Sequence, residues 1–72
     1  MAIMQNRVFP QRLNQIIVER GLYPSDVAKL TGVCKQKIYD YIKGTKEPRL
    51  SSFIKLARGL KVSADWLCGL EE

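Results

Sequence analysis

A short run near the middle of the chain, residues 35–43, carries side chains with complementary hydrogen-bonding abilities. Gln36 offers a donor and an acceptor in one plane, and Lys35 and Lys37 donate. Asp40 accepts. These groups match the edges of nucleic-acid bases: the amide can pair with adenine, an ammonium with guanine or a phosphate, and the carboxylate with the amino group of cytosine. The run is therefore suited to recognition by hydrogen bonding.

These side chains face the same way only if the run is helical. At about 100° per residue, Ile38, Tyr41 and Ile42 define the buried side of such a helix. The opposite arc contains no aliphatic residue and holds Lys35, Gln36, Lys37, Tyr39, Asp40 and Lys43. A simpler interpretation is that these are only solvated surface residues, with Asp40 paired with Lys37 or Lys43.

Glycine and proline divide the chain into segments whose apolar residues recur at helical spacing. No stretch alternates as a half-buried strand would. The spacing predicts an all-α fold with helices at about 8–20, 24–31, 35–43, 50–60 and 64–70. Their stripes predict a core in which Ile17 touches Ile42, and which holds Leu13, Ile17, Val27, Ala28, Leu30, Val33, Ile38, Ile42, Phe53, Leu56, Ala57 and Leu60.

Length and composition leave room for one domain and few functions. With 72 residues, 46% hydrophobic and 26% charged, the chain predicts one globular domain over 1–72, with an ordered part at about 8–70. Histidine is absent, so the usual general base is missing and the two cysteines cannot complete a metal site. We expect no enzymatic activity, no metal, no other cofactor and no small-molecule ligand.

The compartment and the partner class follow from cysteine usage, hydropathy and charge. Two widely spaced cysteines without a signal segment predict reduced thiols in the cytoplasm, and the apolar runs, such as 16–18, are too short to span a membrane. Residues 35–64 carry eight Lys and Arg against two acids, within a net charge of +5 for the chain. This basic middle indicates an anionic polymer as partner, although a solvated charged face is the alternative.

The segment 27–38, VAKLTGVCKQKI, fits two short helices joined by a tight turn. Ala28 is small where the helices would cross, Gly32 allows the turn, and Val33 and Ile38 fill the angle between them. Together with the run 38–44, Pro48, FIKLA at 53–57 and LKVSADWL at 60–67, the chain resembles the Xre family of Cro- and phage-repressor-like proteins over about residues 10–70.

The resemblance implies a compact five-helix, lambda-repressor-like domain with the helix-turn-helix at helices 2 and 3. It implies a sequence-specific transcriptional regulator of phage or mobile-element type, binding a pseudo-palindromic operator in double-stranded DNA as a homodimer. Helix 35–43 would enter the major groove, with base contacts from Lys35, Gln36, Lys37 and Asp40. Backbone contacts would come from Ser25, Tyr39, Lys43, Thr45 and Lys46.

The chain departs from the family pattern in three places. Tyr23 and Pro24 stand where a Thr-Gln or Ser-Gln pair usually grips phosphate. Cys34 replaces a common serine cap, which leaves open a redox-sensitive switch or simply a small turn residue. Ile17 and Ile42 together replace a buried arginine–glutamate pair, a paired change that two packed aliphatic residues can accommodate.

Two other functions remain open from the sequence. An antitoxin-type or adaptor protein would keep the fold but bind mainly another protein, through Trp66, Leu67 and Leu70. A nonspecific nucleic-acid or membrane-surface binder would use the basic charge alone. For the dimer, the sequence predicts contacts from helix 4 onward, with residues 66–70 as the apolar surface.

Overall fold

Five helices make up the part of the chain that the computed structural model describes, residues 8–70. They are α1 (Val8–Arg20), α2 (Pro24–Thr31), α3 (Lys35–Lys43), α4 (Leu50–Leu60) and α5 (Ala64–Cys68). No strand occurs in this range, and the all-α prediction is confirmed. The first four helices match their predicted bounds, whereas α5 ends two residues before the predicted Leu70. Gly69 ends it by adopting a φ of 92°, a left-handed conformation that glycine takes at little cost.

A single hydrophobic cluster joins the five helices. In it α2 packs on α3 and α4, while α1 packs on α3 and α5. Most of the predicted core is confirmed as buried, and Ala28, Ile42 and Phe53 are half-buried against it. The buried apolar side chains are Phe9, Leu13, Ile16, Ile17, Val27, Val33, Ile38, Tyr41, Leu56, Ala57, Leu60 and Leu67.

The core prediction is wrong for Leu30, which is 53% exposed. The buried residues of α2 are Val27 and Thr31, which lie four positions apart and therefore share one face. Leu30 lies about 100° away from Thr31 around the helix. Tyr41, which the helical spacing places on the buried side of residues 35–43, is 4% exposed, and its ring lies edge-on to that of Phe9 with the centroids 6.0 Å apart.

The predicted apolar surface at 66–70 is also largely covered. Leu67 is fully buried, and Trp66 is half-buried against the core. The guanidinium of Arg12 lies over the Trp66 ring, 4.9 Å from its centroid. Of this stretch, Leu70 is the large apolar side chain that stays strongly exposed, so the surface predicted for an adaptor or a dimer does not exist in that form.

Two arginines of α1 hold the ends of α4 and α5 in place. Nη1 of Arg12 donates to the carbonyl of Trp66 at 2.6 Å, and Nη1 of Arg20 donates to the carbonyl of Leu60 at 2.6 Å. The last carbonyls of a helix lack partners within it and favour positive charge. These two charges therefore serve the fold.

The closest backbone approach that a glycine makes possible is between α2 and α4. A Cβ added to Gly59 would lie 2.5 Å from the carbonyl oxygen of Leu30 and 2.7 Å from Cα of Thr31. Both are backbone atoms, which cannot rotate away. Gly59 therefore sets the distance at which α4 supports α2.

No helix within 8–70 combines the length and apolar character needed to cross a bilayer.

Candidate nucleic-acid interface

The turn between α2 and α3 fixes how α3 is presented. Gly32 ends α2 with a φ of 78°, and its N–H donates to the carbonyl of Ala28 at 2.8 Å. The buried hydroxyl of Thr31 donates to the carbonyl of Val27 at 2.7 Å and accepts from the N–H of Val33 at 3.2 Å. One threonine thus bonds the last turn of α2 to the connection. With Val33 and Ile38 buried as predicted, the relative orientation of the two helices is set.

The inner face of α3 is apolar and the outer face is polar. Ile38 is fully buried and Tyr41 nearly so, which anchors the helix on the core. Lys35, Gln36 and Lys37 in its first turn are exposed. Tyr39 is 42% exposed, and Lys43 is exposed at the other end. Three of the four side chains predicted to contact bases are therefore exposed in the first turn of α3, and Asp40 is the exception.

Asp40 differs from its neighbours because it organises the end of α3. Its carbonyl accepts from the N–H of Thr45 at 3.0 Å and from the Thr45 hydroxyl at 3.2 Å. Oδ2 of its carboxylate lies 3.8 Å from Nζ of Lys46, and the Asp40 side chain is 19% exposed. The ion pair therefore involves the loop lysine, whereas the sequence suggested Lys37 or Lys43. Asp40 connects α3 to the loop that follows it.

A basic depression of about 200 Å³ lies beside α3. It brings together α3, the following loop and the first turns of α4, and its wall consists of Lys37, Tyr41, Lys46, Glu47, Arg49 and Ser52. Arg49 and Ser52 are not among the residues that the sequence predicted to contact DNA. The available signal was an arginine directly before a helix start, where the first N–H groups also favour anions.

At the beginning of α2, where the family pattern has a phosphate-gripping pair, the chain caps its own helix. Tyr23 occupies the N-cap, and its own N–H donates to Oδ2 of Asp26 at 2.9 Å. The Asp26 carboxylate is thus engaged by the chain itself. Ser25 is exposed in the first turn of α2, and it does not line the basic depression. The structure brings the α3 and loop residues together, and Ser25 lies on a separate element.

The two cysteines occupy different surroundings. Cys34 is exposed at the N-cap of α3 and makes no capping bond through its side chain. Cys68 is half-buried, and its Sγ lies 3.5 Å from the carbonyl of Asp65. Neither forms a disulfide. Across residues 8–70, no three His, Cys, Asp or Glu side chains are grouped so as to hold a metal ion.

A short helix packed across the N-terminal part of a second, polar and outward-facing helix defines the class of DNA-binding helix-turn-helix proteins. A comparison with protein families agrees with this class, because the family described as helix-turn-helix matches residues 13–67 of the chain. The chain belongs to this Xre- and Cro-like helix-turn-helix family, and the match supports a DNA-binding regulator.

Among curated proteins, the chain is similar to one from Haemophilus influenzae named an uncharacterized HTH-type transcriptional regulator. The two are 36% identical over 59 residues, which cover 82% of this chain and 24% of the relative. The chain thus spans about a quarter of the relative's length. No solved structure matches the chain with significance.

Proposed function

We propose that this protein is a sequence-specific transcriptional regulator of the phage or mobile-element repressor type, with α3 as its reading helix in the DNA major groove. The observation that carries the proposal is the two-sided character of α3. Ile38 and Tyr41 anchor it, while the first turn presents three exposed hydrogen-bonding side chains. In helix-turn-helix proteins it is the beginning of the second helix that contacts base edges.

The base contacts are assigned to Lys35, Gln36 and Lys37. Gln36 lies at the centre of the outward arc and can pair bidentately with adenine. The two lysines flank it and can donate to guanine. Asp40, expected from the sequence to accept from cytosine, is assigned here to holding Lys46 by the ion pair described above, and the Asp40→Asn variant distinguishes the two roles.

The DNA backbone contacts are assigned to residues around and beyond the basic depression. Lys43, Thr45 and Lys46 follow one another at the end of α3, and Arg49 and Ser52 extend the same surface onto α4. Tyr39 and Ser25, both exposed, are further phosphate contacts in this proposal. Contacts of this kind set orientation and affinity and carry no sequence information of their own.

A single reading helix of nine residues contacts too few base pairs to select one site. We therefore propose a homodimer on a pseudo-palindromic operator, with the two α3 helices about 34 Å apart, one turn of the duplex. A regulator of this kind acts in the cytoplasm and needs no catalytic group.

The test of the proposed function is selection of genomic fragments bound at near-physiological salt. We expect one pseudo-palindromic sequence to be enriched, and the same duplex with scrambled half-sites to bind far more weakly. Uniform recovery of unrelated fragments would show that the protein binds nucleic acid only through its charge.

Lys46→Ala and Arg49→Ala should each weaken binding to the operator and to scrambled DNA by the same factor, because phosphate contacts do not depend on sequence. The slope of log K against log salt concentration should fall by about 0.9 for each phosphate that the variant no longer neutralises. Filter binding or fluorescence anisotropy at several salt concentrations measures both quantities.

Lys61→Gly is the matched control for this pair. It removes the same charge at the opposite end of α4, where Lys61 has a φ of 57° that glycine tolerates. Its salt slope should equal that of the wild type. An equal decrease for Lys61→Gly would mean that overall charge, and not the basic depression, determines affinity.

Asp40→Asn should strengthen binding to operator and scrambled DNA alike by about threefold, the size expected of one solvent-screened charge. The substitution releases Lys46 and removes a negative charge beside the DNA surface, while the bonds from Thr45 to the Asp40 carbonyl persist. The same titrations measure it. Weaker binding to the operator alone would identify Asp40 as a base acceptor.

A further inference from the structure

An apolar groove opens where α1 begins. Its volume is about 300 Å³, and it lies between the start of α1, the start of α4 and the end of α5. We call it the α1–α4 groove, and its lining residues are Phe9, Glu47, Pro48, Leu50, Phe53 and Cys68. The groove has roughly twice the volume of an engineered cavity that accommodates benzene, and so can take one or two aliphatic side chains.

The lining of the groove combines aromatic rings with one carboxylate. The rings of Phe9 and Phe53 pack together with their centroids 5.8 Å apart, and Leu50 beside them is 74% exposed. Among the described lining residues, Glu47 alone carries a charge. An apolar recess next to an exposed leucine marks an interaction surface. The carboxylate favours an occupant that has a positive charge next to its apolar part.

The residues that precede the described range have this composition. Residues 1–4, Met-Ala-Ile-Met, are all apolar, and Arg7 follows them with a positive charge. Ile3 is a branched aliphatic residue, and Met4 is flexible enough to fill an irregular recess and can contact an aromatic ring through its sulfur. The order of apolar and charged groups in this segment thus complements the lining of the groove.

The described part of the chain also begins at the groove. A Cβ added to Gly69, at the end of α5, would lie 3.0 Å from Cγ1 of Val8, and the next residue, Phe9, lines the groove. An extended chain spans up to about 3.5 Å per residue, so Met4 can lie up to about 14 Å from Val8, and Ile3 up to about 18 Å. Both side chains can therefore reach the groove without any movement of the helices.

We propose that residues 1–7 dock in the α1–α4 groove of their own chain. Ile3 and Met4 pack against its aromatic rings, and Arg7 lies beside the Glu47 carboxylate. A short tether gives the segment an effective concentration in the millimolar range, which a separate molecule does not reach. The groove offers far less than the roughly 800 Å² per partner that a stable contact between separate molecules buries. The inference does not depend on DNA binding.

NMR spectroscopy of the full chain tests the docking directly. The methyl groups of Ile3 and Met4 should show nuclear Overhauser effects to the ring protons of Phe9 and Phe53, independent of protein concentration. Absence of these effects would overturn the proposal. In a mixture of labelled and unlabelled protein, effects between different molecules would overturn it as well, because a second copy would then fill the groove.

The thiol of Cys68 gives a second, chemical measure of whether the groove is covered. Cys68 is half-buried and lines the groove, and Cys34→Ser removes the other, exposed thiol. In that background, the double variant Ile3→Gln, Met4→Gln should react with a thiol reagent at Cys68 about fivefold faster than its parent. This factor corresponds to loss of a cover that buries the two side chains only in part.

Two control variants are made in the same Cys34→Ser background. Val18→Gln changes a 68% exposed aliphatic residue of α1, nine residues from Phe9 and therefore about 14 Å along the helix. Ile3→Leu, Met4→Leu keeps the segment apolar. Both should react at the rate of the parent.

Thermal melts separate exposure of the groove from unfolding of the domain. The glutamine variant should melt within roughly 5 °C of its parent, so that a faster reaction at 25 °C reports on the groove of a folded protein. An unchanged rate in that variant would overturn the proposal. An equally fast reaction in the leucine variant would also overturn it, because apolar character would then not be what holds the segment in the groove.

Discussion

Gly59→Ala should destabilise the domain by about 2 kcal/mol, within the range measured for overpacking. The added Cβ would lie 2.5 Å from the Leu30 carbonyl oxygen and 2.7 Å from Cα of Thr31. Because both contacts are with backbone, α2 must move away from α4 to relieve them. The gain in helix propensity from glycine to alanine, about 1 kcal/mol, offsets only part of the cost.

A loss of this size is large for a chain of 72 residues, since domains of this length are stable by only a few kcal/mol. The melting temperature should fall by roughly 10 °C, which thermal unfolding followed by circular dichroism measures. Arg58→Ala is the control: it introduces alanine at the neighbouring exposed position of α4 and should stay within about 0.5 kcal/mol of wild type. A Gly59→Ala melt at or above the wild-type temperature would show that the helices separate at no cost.

Gln36→Ala should lower affinity for the operator by about 1 to 3 kcal/mol, the cost of removing a bidentate base contact. Its affinity for scrambled DNA should stay nearly unchanged, because Gln36 is uncharged and contributes nothing to counterion release. The residue is exposed on α3, so the fold should be unaffected. Titration of the variant against both duplexes, with a thermal melt alongside, measures these expectations.

Gln15→Ala provides the matched glutamine for this experiment. Its amide bonds to Glu19 on α1 at 3.1 Å, and it should leave both affinities as in the wild type. Equal decreases in affinity for operator and scrambled DNA with Gln36→Ala would show that α3 is not the reading helix. Together with the Lys46 and Arg49 variants, the series separates residues that recognise sequence from residues that hold the backbone.

The sequence by itself determined the helices and the orientation of α3. Glycines at 32 and 44 end α2 and α3 with φ values of 78° and 79°, and the apolar spacing gave the first four helices their bounds. The polar arc of α3 was also readable, because Ile38 and Ile42 identify the inner side. These features depend on residues close in sequence, and local periodicity reports them directly.

Only the tertiary structure decided which neighbour covers each face and which charges are already engaged. Periodicity gives an angle around one helix axis and does not say where another helix crosses it. Apolar spacing therefore predicts a buried Leu30, although Leu30 is exposed. It also gives no sign that Gly59 sets the distance between α2 and α4.

The sequence also does not show which charged side chains bond within the fold and which face solvent. Arg12 and Arg20 contribute to the net charge of +5, yet they bond carbonyls at the ends of α5 and α4, which are 54 and 40 residues away along the chain. Arg49 and Ser52 join Lys37 and Lys46 in one depression only because α4 begins beside α3. The hydrogen-bonding capacity of a long polar side chain is fixed by its residue type, but its partner depends on which helix ends the fold brings within reach.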